Sequence, residues 1–122
     1  MGRFLLERPG FRATALTADS SIVSAIANDC GYEHVFARQL VACARHGDVL
    51  FAISTSGLSR NIVLAAGAAR ERGVHVIGLT GERTGDLAPL CDVCLRVPSR
   101  ETPRIQEAHI LVLHIIAELL ER

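Results

Sequence analysis

A chain of 122 residues with thirteen basic and thirteen acidic side chains has no formal net charge, which excludes the electrostatic footprint of a general nucleic-acid or membrane-surface binder. Hydrophobic residues make up 49% of it, yet aromatics are only 4% and tryptophan is absent. A core burying roughly two-thirds of the unfolded surface therefore has to be packed from Ala, Val, Ile and Leu, which suits helices laid on a parallel sheet.

Short apolar runs alternate with helical patterns along the chain, the signature of βαβ units in an α/β fold, and nothing divides residues 1–122 into more than one domain. Phe11 to Leu16 reads as a first strand, and the polar stretch Thr17 to Ser21 can cap a short helix through about Ala27. Asn28 to Gly31 has turn chemistry. Tyr32 to Ala44 places Val35, Phe36, Leu40, Val41 and Cys43 near a helical period before His46, Gly47 and Asp48 interrupt it. Val49 to Ile53 is apolar throughout, as a strand buried on both faces requires.

An Ala-rich helix over Asn61 to Arg72 closes at Gly73, a natural helix terminator. Val74 to Leu79 is the next strand, Asp86 to Leu90 a loop with a short helix, and Cys91 to Val97 a last strand that Pro98 stops. Thr102 and Pro103 open the final helix, which runs to about Glu121. It is apolar around most of its circumference, so it is expected to pack on the sheet and on a second subunit. The longest apolar runs fall far short of the ~20 residues that span a bilayer. Met1 to Gly10 lacks the apolar stretch of a secretion signal, and the expected location is the cytoplasm. Cys30, Cys43, Cys91 and Cys94 are read as ordinary buried thiols: the last two have CxxC spacing, but in a strand residues three apart point to opposite faces.

The strongest local signal for function is Ser54-Thr55-Ser56-Gly57-Leu58-Ser59, set between a buried strand and a helix. In an open parallel sheet ligands bind beyond the carboxyl ends of the strands, where a helix start offers free N–H groups and the positive end of its dipole to an anion. Four hydroxyls and a glycine suit a phosphate group. The same residues would also serve as plain helix caps, and the local pattern leaves both readings open. The loop lacks the GK[ST] ending of a triphosphate-binding loop, and no GxGxxG is present, which disfavours a nucleotide.

This loop resembles the STSGNS phosphate loop of sugar-isomerase (SIS) domains. Its surroundings narrow the resemblance: Arg8-Pro9-Gly10, Ala27 to Tyr32, Gly47 to Leu50, and Thr102 to Glu107 continuing through His114 are similar to the phosphoheptose isomerase branch of that family. The resemblance implies a three-layer, doubly wound, flavodoxin-like parallel sheet. It implies substrate contacts at Asn28, Asp29, Ser54, Thr55, Ser56, Ser59 and Gln106, zinc ligation by Gln106 and His114, and proton transfer by His114. Leu58 stands where the family usually has Asn. The implied reaction converts sedoheptulose 7-phosphate to D-glycero-D-manno-heptose 7-phosphate through an enediol, for lipopolysaccharide or other glycan precursors, in a homotetramer.

A proton shuttle between adjacent carbons needs a group that titrates near neutrality, which histidine supplies. Taken alone, a histidine among Leu113, Ile115 and Ile116 is more often a hydrogen-bonded packing residue. Gln106 and His114 lie about 12 Å apart along a helix and about 80° apart around it, so one ion joins them only through extended side chains or across subunits. His34, His46, His75 and His109 are read as surface or packing residues.

Family members carry a first helix, a strand with a GNGGS phosphate loop and a helix with an HxxxE pair ahead of the part resembled here. Two zinc ligands and the residue resembling the catalytic base belong to that part, and catalytic zinc normally takes about three protein ligands. Weak isomerase activity and weak zinc binding are therefore expected of these 122 residues. The competing expectation is a non-catalytic SIS module that binds a sugar phosphate or a protein partner such as a replication initiator.

Overall fold

The computed structural model describes residues 3–122. A three-stranded, all-parallel sheet in the order β1 (Val49–Ile53), β2 (His75–Thr80), β3 (Val93–Arg96) is its frame. Helices α1 (Ser20–Cys30) and α2 (Val35–Cys43) precede the sheet, α3 (Arg60–Glu71) crosses from β1 to β2, and α4 (Thr102–Glu121) follows β3. The α/β parallel architecture is the expected one. Among the described residues no helix is long and apolar enough to cross a membrane.

The register decides where the core sits. Leu50 pairs with Val76, and Ala52 with Gly78 and through it Cys94, so these residues share one face. That face is closed by α2 and α3, whose Leu40, Ala66 and Ala69 are buried with Ala52, Val74, Val76 and Leu87. Small Ala side chains on α3 bring the helix close to the sheet, which is how a core without tryptophan reaches density. The opposite face carries Val49, Ile53, Val93 and Leu95, which remain 39–52% exposed. Only its carboxyl edge is covered, where α4 buries Ile105 and His109.

Several local expectations are corrected. Phe11 to Leu16 forms no strand: β-structure needs a neighbouring ladder, and here Gln39 caps the Leu16 carbonyl with its side-chain amide at 2.9 Å instead. Asn28 to Cys30 are helical rather than a turn; α1 is capped at its start by Asp19, whose carboxylate accepts the Ser21 and Ile22 amides, and at its end by Gly31 with φ of 90°. The Tyr32 to Ala44 helix starts with a 3-10 turn, Tyr32–His34. Cys91 and Cys94 do not point to opposite faces. Cys91 precedes the strand, and both sulfurs lie over the Cβ-less Gly78, where a Cβ would be 2.4 and 3.5 Å from them. Burial and the neighbouring Cys94 push the Cys91 thiol up to about 11.

The final helix has its expected span but not its expected packing along the sheet. Ile110, Leu111, Ile115, Leu119 and Leu120 are exposed. Its far end is held by the N-terminal segment: Glu121 accepts the amides of Phe4, Leu5 and Leu6 at 2.7, 2.6 and 2.9 Å and pairs with Arg8 at 3.0 Å. A carboxylate in the last turn is disfavoured by the helix dipole, and these four donors offset that. Arg8 in turn lies over the Phe11 ring, 3.8 Å from its centroid.

Candidate functional site

Beyond the carboxyl ends of β1 and β2 lies a cavity of about 550 Å³ lined by Ile53, Ser54, Thr55, Ser59, Gln106, His109, Ile110 and Leu113. A smaller one, about 260 Å³, lies at the opposite end of the sheet around His46, Arg70, Gly73 and Asp92, where no helix begins. The first occupies the position at which a parallel sheet binds ligands.

The serine loop is held from behind by its own backbone. Ser54 is 4% exposed; its hydroxyl accepts the Gly57 amide at 3.1 Å and pairs with the Ser59 hydroxyl at 2.9 Å. Gly57 has φ of 68°, and a Cβ there would stand 2.0 Å from the Thr84 carbonyl oxygen. Gly85, with φ of 50°, meets the same contact from the other side, 2.5 Å from the Gly57 oxygen. The two glycines let a second loop press backbone to backbone on the first, and the Leu87 amide donates to the Gly57 carbonyl at 3.1 Å. Gly81 closes the remaining side: its amide donates to the Thr55 carbonyl at 3.0 Å, and a Cβ on it would be 2.5 Å from Ile105 Cδ1.

This bracing leaves one surface of the loop for a ligand. Ser59 is the N-cap of α3 without a side-chain cap bond. The first-turn amides of Arg60 and Asn61 have no acceptor among the described residues. Unpaired N–H groups and the dipole of a twelve-residue helix are the features on which helix starts hold anions, and the Ser59 and Thr55 side chains line the cavity beside them.

Of the residues singled out from sequence, the structure brings Ser54, Thr55, Ser59 and Gln106 to this cavity. The others lie outside it. Ser56 is exposed and accepts the Leu58 amide at 3.2 Å, and Asn28 and Asp29 are exposed on the last turn of α1. His114 is exposed, its ring 5.5 Å from that of Phe4. His109, five residues earlier, is about 140° from it around the helix and takes the inner position. The ring is 3% exposed; its Nε2 lies 3.1 Å from the Thr80 carbonyl oxygen, and Nδ1 is buried without a partner. Reading it only as packing missed its place on the cavity wall, which follows from the inner face that Ile105 also occupies.

The zinc implied by resemblance is not supported by these donors. Among the described residues no three His, Cys, Asp or Glu side chains come together as a metal group, and Gln106 lines the cavity while His114 does not.

Comparison with known proteins gives the family and the fold. The SIS domain family matches residues 1–81. A phosphoheptose isomerase of Aneurinibacillus thermoaerophilus is 53% identical over 99% of this chain and 61% of its own length, and one of Rhodospirillum rubrum is 52% identical over 98% and 64%. Among solved structures, a phosphoheptose isomerase from Neisseria gonorrhoeae superposes with a TM-score of 0.86 at 49% identity, over 88% of this chain and 60% of that one. Another from Francisella tularensis gives 0.88 at 38% identity, over 91% and 60%. The chain thus spans about three-fifths of the length of the relatives it matches.

Proposed function

This chain belongs to the SIS-domain family, and from that premise we propose that it forms the sugar-phosphate-binding part of an aldose–ketose isomerase acting on sedoheptulose 7-phosphate. One observation carries the proposal: the braced serine loop, through Ser54, Thr55 and Ser59, faces Gln106 across a single cavity at the carboxyl edge of the sheet. The phosphoryl group sits on the Arg60 and Asn61 amides and the Thr55 and Ser59 hydroxyls. The sugar chain then extends toward α4, within reach of the Gln106 amide. The relatives named phosphoheptose isomerase, about half identical to this chain, supply the substrate class.

Isomerisation moves a proton between neighbouring carbons through an enediol and needs a group that titrates near neutrality. His114 is the residue to which that role is assigned. Because it turns away from the cavity that Gln106 lines, it serves the site of a neighbouring copy. The exposed Ile110, Leu111, Ile115 and Leu119 around it give the helix an apolar strip for such self-association. Size-exclusion chromatography with light scattering is expected to give a mass above that of one chain, and a stable monomer would overturn this assignment.

Binding is tested directly by titrating the protein with sedoheptulose 7-phosphate while following the amide resonances of residues 54–61. The loop resonances are expected to shift, and Ser59→Ala is expected to weaken binding roughly tenfold through loss of a hydrogen bond to a charged group. Binding that leaves this loop untouched would sink the reading. A second reading, a sugar-phosphate-binding module without catalysis, is favoured by the place of His114 outside the cavity that Gln106 lines. It is distinguished by loop shifts unaccompanied by turnover.

A further inference from the structure

We infer that His109 is a specificity-determining residue of the same cavity, whose Nδ1 accepts a hydrogen bond from a hydroxyl of the bound sugar phosphate. The inference rests on the sugar-phosphate reading above and assigns a contact that neither the serine loop nor Gln106 provides.

The protonation pattern of the ring follows from its partner. A backbone carbonyl can only accept, so the 3.1 Å contact to the Thr80 oxygen places the ring proton on Nε2. In the neutral imidazole Nδ1 is then a bare acceptor. That acceptor is buried and has no partner, although buried polar atoms are otherwise nearly always paired. The ring is held on both sides, by its helix and by the strand end at Thr80, which is itself fully buried. It cannot turn to seek water without giving up the Thr80 bond.

The open space beside this residue from which a donor can approach Nδ1 is the cavity. His109 lines it together with Thr55, Ser59 and Gln106. The side chains that flank the ring on the helix, Gln106 and Ile110, are exposed and turn aside on the timescale of surface rotamers. A phosphate on the serine loop carries its hydroxylated chain past this wall. The hydroxyls of that chain are donors that reach the ring, whereas inorganic phosphate stays on the loop, and a fixed buried acceptor distinguishes the two.

Two substitutions separate the ring's two nitrogens. His109→Gln keeps a donor for the Thr80 carbonyl and removes the acceptor at Nδ1. His109→Asn retains an oxygen near Nδ1 and gives up the Thr80 bond. The expected result is that His109→Gln binds sedoheptulose 7-phosphate roughly fivefold to tenfold more weakly while inorganic phosphate binds as before, and that His109→Asn stays within about twofold of the native protein for the sugar phosphate. In the native protein the ¹⁵N resonance of His109 Nδ1 is expected to move upfield when sedoheptulose 7-phosphate is added and to stay in place with inorganic phosphate. This readout decides the matter even if both variants unfold. Unchanged sugar-phosphate affinity in His109→Gln, or an Nδ1 resonance indifferent to the ligand, overturns the inference while leaving the loop assignment intact. If neither compound perturbs residues 54–61, the parent reading fails first and takes this one with it.

Discussion

Replacing Gly57 with alanine is expected to abolish phosphate binding at the serine loop and to lower the melting temperature sharply. The residue holds φ of 68°, a conformation that costs an L-residue about 1–2 kcal/mol. The steric term is larger. The new Cβ would stand 2.0 Å from the Thr84 oxygen and 2.3 Å from its carbon, both backbone atoms, so no side-chain rotation relieves the overlap. The loop carrying Thr84 and Gly85 has to withdraw, which breaks the Leu87 amide bond to the Gly57 carbonyl and loosens Leu87, a fully buried core residue. Calorimetric unfolding and phosphate titration of the variant check both halves. A Gly57→Ala protein that melts and binds as the native one does would show that the two loops are not in the contact described. Gly85→Ala, which meets the same contact from the other side, is expected to behave alike.

The second large effect concerns the clasp between the ends of the chain. Glu121→Ala is expected to release residues 3–8 from α4, exposing the Phe4, Leu5 and Leu6 amides to rapid hydrogen exchange while β1 and β2 stay protected. The same release is expected on acidification. Burial works against ionisation of Glu121, but the three amides and Arg8 outweigh it and hold the carboxyl at about 2, below its ordinary 4.5. The sign follows from the direction of the shift. A carboxyl more acidic in the folded than in the unfolded chain adds stability that is complete above pH 4.5 and is lost as the pH falls through about 2. Exchange protection of the three amides, followed from pH 6 downward, is expected to fade over that window; protection unchanged across it would remove the clasp. Phe4 also lies against His114, so opening the clasp frees that ring as well.

The composition matters for how these ends behave. With no tryptophan and an Ala-rich α3, the closed face of the sheet is packed by small side chains at short range, whereas the open face keeps Val49, Ile53, Val93 and Leu95 partly in solvent.

What the sequence determined by itself was whatever depends on neighbours close along the chain. Val49 to Ile53 was legible as a strand because its five residues are all apolar, α3 by its Ala run and the glycine that ends it, and α4 over its span from Thr102 to about Glu121 by Thr102, Pro103 and an unbroken helical composition. The serine loop stood out because hydroxyls and a glycine fall between a strand and a helix. Tertiary structure decided the rest. Phe11 to Leu16 has strand-like residues but no ladder beside it, and pairing is a property of two segments. Asn28 and Asp29 were turn formers that a capped helix absorbed. The choice between His109 and His114 was set by which side of α4 meets Thr80 and Gly81, an angle fixed by packing at Ile105 that no local pattern contains. The glycine contact between residues 57 and 85 is likewise invisible until the two loops are brought together, because a missing Cβ has meaning only where another backbone fills its place.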